Sequence, residues 1–156
     1  HVDILPTVLE LLGTKPDWGV HGQSLLPMID GKKGRDAVFA DGGHEEEMFG
    51  RFNFGRKTKD GKPRALDGKQ RTYAEFPESM SRTKMVRTKR WKLVVRLTGG
   101  NELYDMKNDP HEMKNLWPGH EQDATLSRVV SVLQLKMIEW CLRTDTDRPF
   151  EPNVGA

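Results

Sequence analysis

The sequence predicts an α+β fold: a small antiparallel sheet of three or four strands, one long C-terminal helix packed on it, and a short helix in front. Two patterns carry that expectation. In Trp91-Lys92-Leu93-Val94-Val95-Arg96-Leu97 every odd position is apolar, while Lys92 and Arg96 fall on the other face. That period of two belongs to a half-buried strand. Over residues 121–143, Leu126, Val129, Val130, Leu133, Met137 and Trp140 or Cys141 recur at steps of three and four. This is the stripe of an amphipathic helix.

The chain opens on His1-Val2-Asp3-Ile4-Leu5-Pro6-Thr7-Val8-Leu9-Glu10-Leu11-Leu12-Gly13. Asp3 is expected as an N-cap, Pro6 is tolerated in the first turn, and Gly13 is expected as the stop. The aliphatic residues leave this helix almost no polar face, so it expects cover on several sides. The chain therefore reads as a piece of a longer one. Left uncovered, such a patch is expected to drive self-association.

Residues 14–36 are rich in Gly and Pro and read as a loop with one helical turn near Leu25–Ile29. Ala37–Ala40 is a short strand that runs into Asp41-Gly42-Gly43-His44-Glu45. Residues 55–72 are polar, basic and turn-rich, the composition of a long surface loop. Lys84–Arg87 and Glu102–Asp105 flank the central strand as pairing neighbours, with Thr98–Asn101 as a hairpin loop. Asp109-Pro110-His111-Glu112 has the order of a capping box at a helix start. Residues 144–156 hold two prolines and are expected to be extended.

Composition narrows the function. The 156 residues amount to about one domain. Hydrophobic residues make up 35% and charged ones 31%, so the core is small and the surface heavily charged. The net charge of +2 gives no case for a nucleic-acid partner. No window supplies the ~18–20 apolar residues of a membrane span. The single cysteine, Cys141, excludes an internal disulfide and a Cys-rich zinc site. No basic segment followed by an apolar run opens the chain, so no leader is expected at His1.

Catalytic motifs are hard to place. Cys141 falls mid-helix near the apolar stripe, where a cysteine is a small hydrophobe. There is no Gly-x-Ser-x-Gly elbow and no phosphate-cradling glycine loop. His44-Glu45-Glu46-Glu47 lacks the second histidine of a zinc helix. Asp105–Asp109 imitates the start of a calcium loop, but Lys107 stands where an oxygen ligand belongs and Pro110 where glycine belongs. Two basic clusters remain, residues 56–71 and Arg82, Lys84, Arg87, Lys89, Arg90 and Lys92. They suit an anionic polymer, or simply a solvated loop and sheet face.

Four segments in order then form a recognisable series. They are the opening His1–Gly13, Gly22-Gln23-Ser24-Leu25-Leu26-Pro27, Met85–Val94, and Glu102-Leu103-Tyr104-Asp105 continuing through Asn108-Asp109-Pro110-His111-Glu112 to Asn115-Leu116. The series resembles the C-terminal third of the formylglycine-dependent (type I) sulfatases, in the alkaline phosphatase superfamily. The resemblance implies that residues 1–36 are the end of a larger catalytic α/β domain with its connector. It makes residues 37–143 the C-terminal sheet subdomain with its closing helix, and 144–156 a tail. It also implies that the Asn-Asp-Pro-x-Glu-x-x-Asn-Leu segment is a capped structural turn.

For a parent enzyme the resemblance implies sulfate ester hydrolysis with formylglycine and calcium, and a sulfated small molecule or glycan as substrate. A periplasmic or extracellular location is implied on the same ground. The nucleophile motif Cys/Ser-x-Pro/Ala-x-Arg is not matched by Cys141-Leu142-Arg143-Thr144-Asp145, and no family metal ligand maps onto this chain. No catalytic residue and no cofactor is therefore expected within it, and its first partner is the N-terminal catalytic domain. The residues expected to reach substrate are His44 and Glu45, on a loop with flexible glycines, and Arg51, suited to a carboxylate or sulfate. A non-catalytic module for anionic glycans is the alternative.

Overall fold

The computed structural model describes residues 1–15, 18–43, 59–61, 71 and 75–145. The elements are α1 (Ile4–Leu11), α2 (Leu26–Ile29), β1 (Ala37–Gly42), β2 (Thr83–Thr88), β3 (Trp91–Arg96), β4 (Glu102–Asp105) and α3 (Ala124–Thr144). Short 3-10 turns cover Pro77–Met80 and His120–Gln122. The four strands form one antiparallel sheet in the order β1-β2-β3-β4, so the fold is α+β. A strand at the head of a four-stranded meander explains why Ala37–Ala40 needs only a brief apolar signal. It is an edge, paired on one side.

The register puts Phe39 opposite Val86, Val86 opposite Leu93, and Leu93 opposite Leu103. Directly opposed residues share a face, so this row crosses all four strands. Val130, Leu133 and Met137 of α3 press onto it, with Leu126, Val129 and Cys141 packed at the margins. Val86, Leu93 and Leu103 are fully buried. The helix starts at Ala124 rather than 121, because His120–Gln122 winds tighter and Asp123 is extended. Asp123 caps it, accepting from the Thr125 and Leu126 amides.

Three local expectations change. The alternation puts Leu97 on the inward face of β3, yet it is 70% exposed, because the ladder ends at Arg96 and the chain leaves for the 98–101 turn. On the opposite face Val94 is buried and Lys92 and Arg96 are ion-paired to Glu112 and Glu102, so β3 is covered on both sides. Asp3 does not cap α1. Its carboxylate is drawn away to the Gln23 amide and to Arg35, as described below.

No helix follows Asp109. Its two carboxylate oxygens instead accept the Met113 and Lys114 amides. Glu112, at φ +59°, sends its side chain to Lys92 rather than back to the cap. The turn ends at Asn115, whose Oδ1 accepts the Leu103 and Trp117 amides while Nδ2 donates to the Asn101 carbonyl. The Leu116 amide donates to the Leu103 carbonyl. Side chain and backbone of Asn115-Leu116 thus occupy the open edge of β4, which an edge strand needs if it is not to pair elsewhere. The capped structural turn is what this segment forms.

Helix α1 lies at the other extreme of burial. Gly13 stops it at φ +69°, and none of its residues is buried. Ile4, Leu5, Val8, Leu11 and Leu12 are all exposed. Helix α2 adds the exposed Met28 and Ile29.

Candidate functional site

Strand β1 carries the chain towards the loop that the sequence singles out. His44, Glu45 and Arg51 lie outside the described residues; Asp41 and Gly43 lead up to them. Asp41 sits opposite Lys84 in the register, and the lysine Nζ reaches its Oδ2 at 2.7 Å. Gly43 follows at φ +86°, with its Cα so near the neighbouring strand entry that a Cβ would stand 2.0 Å from the Ser81 carbonyl oxygen. Only glycine fits there, on both grounds. Gly42 has open space and is under no such demand.

Beside this corner opens a cleft of about 690 Å³. One wall comes from β1 and the last turn of α3: Phe39, Asp41, Trp140 and Arg143. The other comes from the opening segment: His1, Val2, Val20 and His21, with Arg35 also lining the cleft. Phe39 and Trp140 stack with ring centroids 5.2 Å apart and planes 2° from parallel. Lys84 Nζ lies 5.1 Å from the Trp140 ring centre, within cation–π reach. The cleft is therefore aromatic on one wall with cationic groups around it.

Its second wall is tied together locally. Asp3 Oδ1 accepts the Gln23 amide at 2.8 Å and Arg35 Nη2 at 2.7 Å. Thr7 Oγ1 donates to the Asp3 carbonyl and accepts the Leu25 amide. Gly22 passes so close to Val2 that a Cβ would be 2.0 Å from the Val2 oxygen. These contacts explain in physical terms why Asp3, Thr7 and Gly22-Gln23-Ser24-Leu25 belong to one pattern. The segment 22–25 is strapped over the start of α1.

Sequence reasoning missed Trp140, Arg143, Arg35 and Asp3 as neighbours of the site. Its spacing puts Trp140 on the core stripe, and it does sit half-buried, but stacked on Phe39 at the cleft wall. The spacing from Asp3 to Arg35 carries no periodic signal. Opposite charges at the two ends of a glycine-rich connector were the only clue.

Among the described residues the cleft brings together aromatic and cationic side chains. Cys141 packs half-buried against the core and is held inside α3. Among the described residues no three His, Cys, Asp or Glu side chains converge as a metal set. The basic residues of the sheet are largely engaged: Lys84, Arg90, Lys92 and Arg96 each hold a carboxylate. The cluster over 56–71 lies almost wholly outside the described residues.

No protein-family model and no curated protein matches the chain. Solved structures do match. A protein assigned to the sulfatases of Bacteroides thetaiotaomicron superposes with a TM-score of 0.60 at 26% identity, over 93% of this chain and 25% of that one. A 2-O GAG sulfatase gives a TM-score of 0.59 at 26% identity, again over 93% of this chain and 25% of its own. The phosphonate monoester hydrolase of Agrobacterium radiobacter shares the fold, with a TM-score of 0.56 at 24% identity over 90% of this chain and 24% of its own. The chain spans about a quarter of the length of each.

Proposed function

We propose that this chain, which resembles sulfatases of the alkaline phosphatase superfamily over about a quarter of their length, is the C-terminal subdomain of a formylglycine-dependent sulfatase. The parent hydrolyses a sulfate ester, most naturally on a carbohydrate, with a formylglycine and calcium held by residues outside this chain. Residues 1–36 close its catalytic α/β domain, and residues 37–143 form the sheet subdomain. Periplasmic or extracellular placement follows from the same reading. This chain supplies structure and part of the substrate rim, with His44, Glu45 and Arg51 on the rim.

One observation carries the reading. The segments that resemble the family fall on α1, on β2 with β3, and on β4 with its edge-closing turn, in a chain whose solved neighbours include sulfatases. The exposed apolar face of α1 supports it, since a helix of this composition is built to be covered.

The gene upstream of His1 is expected to encode a Cys/Ser-x-Pro/Ala-x-Arg segment, and the full-length protein to cleave an aryl sulfate. A gene without that segment overturns the reading. In the full-length enzyme, His44→Ala is expected to lose a substrate hydrogen bond of about 1–3 kcal/mol. That corresponds to roughly 5- to 150-fold in kcat/KM on the natural glycan, with little change on a small aryl sulfate. Equal, negligible effects on both substrates remove His44 from the rim.

The chain alone is expected to self-associate through α1. Sedimentation at rising concentration should show oligomers that disappear in Val8→Glu/Leu12→Glu, with the far-UV spectrum unchanged. A wild-type chain that stays monomeric at high concentration counts against a sticky face.

A further inference from the structure

The opening segment and the sheet meet across the cleft, and the contact between them is narrow. Among the described residues neither α1 nor α2 packs broadly on the sheet or on α3. The tie is ionic. Arg35, two residues ahead of β1, places Nη2 2.7 Å from Asp3 Oδ1, with side-chain exposures of only 32% and 22%. The same carboxylate oxygen holds the Gln23 amide, so three stretches of chain converge on one acceptor: the start of α1, the strap 22–25 and the lead-in to β1. Arg35 also lines the cleft beside Phe39 and Arg143, in the lead-in to the strand that ends at Gly42.

We propose that Asp3 and Arg35 are positioning residues: their ion pair holds β1 at a set distance from the opening helix and thereby sets the width of the cleft. Each cleft wall is fastened within itself. The strap fastens α1 to residues 22–25, while the register with β2 fastens β1 to the sheet. Breaking the pair leaves each wall intact and lets them swing apart. In the sulfatase reading the pair would also fix where the substrate rim lies, but the geometry stands without that reading.

Distance measurement between two spin labels tests it. Glu10 on α1 and Arg87 on β2 are both exposed and lie on opposite sides of the tie, so each is replaced by a labelled cysteine in a Cys141→Ser background. The parent chain, at a protein concentration and in an α1 variant (Val8→Glu/Leu12→Glu) that keep it monomeric, is expected to give a narrow distribution. Arg35→Gln should broaden it towards longer distances, Asp3→Asn should do the same, and the double variant should be no broader than either single one. That non-additivity is expected when two residues share one contact. Arg35→Lys, which keeps the charge, should recover much of the narrow distribution. Backbone amide shifts of β2 and β3 report that the sheet itself is unchanged. If Asp3→Asn perturbs the strap, the comparison of Arg35→Gln with Arg35→Lys still decides, since Asp3 keeps its hold on Gln23 in both. Distributions for Arg35→Gln that match the parent chain, or a double variant with additive broadening, overturn the proposal.

Discussion

Leu93→Ala is expected to destabilise the chain by about 2–5 kcal/mol, the range for truncating a fully buried leucine. Leu93 lies at the centre of the row formed with Phe39, Val86 and Leu103, beneath Val130, Leu133 and Met137. It is 0% exposed, so the substitution leaves a cavity in addition to the lost transfer energy. At about 2–4 °C per kcal/mol for a chain of this size, the melting midpoint should fall by roughly 4–20 °C. The control is Leu97→Ala, four residues on in the same alternation but largely exposed, which should change stability by less than about 0.5 kcal/mol. Equal effects at the two positions would mean that the register is not the one described.

Asp105→Asn is expected to cost about 1–3 kcal/mol near neutral pH and to flatten the acid limb of the stability curve. The Asp105 side chain is 9% exposed. It receives Arg90 Nε and Nη2, the Lys107 amide and Asn108 Nδ2. The Arg90 guanidinium, above all, holds its carboxyl below the usual carboxylate range, against the opposing effect of burial. Asp109 is also lowered, chiefly by the Met113 and Lys114 amides.

Both groups bind a proton less readily in the folded chain than in the unfolded one. Their stabilisation is therefore complete above the unfolded value of about 3.9 and is lost as the pH falls through the lower folded values. Urea titrations from pH 6 to pH 3 should show wild type losing stability over that range, and Asp105→Asn losing less of it. Parallel curves for the two proteins would remove Asp105 from the acid response.

The elements themselves were legible because each is written in local chemistry. Alternation across Trp91–Val95 is a two-residue pattern, the α3 stripe a three-and-four-residue one, and the Gly13 stop a single-residue demand. The resemblance to sulfatases was legible for the same reason: its segments are short and keep their order.

Tertiary structure decided what those residues do with one another. Asp3 has the identity and position of a cap, yet an arginine 32 residues later and a backbone amide 20 residues later compete for its carboxylate and win. Asp109 and Glu112 have the spacing of a capping box, but Lys92 on the sheet is close enough to take Glu112, and the turn closes the edge of β4 instead of opening a helix. Trp140 carries the period of the core and ends at a cleft wall, stacked on Phe39 of the edge strand. In each case local sequence determined the conformations available to the segment. The partner that selected among them is distant in the chain, and only the tertiary fold brought it near.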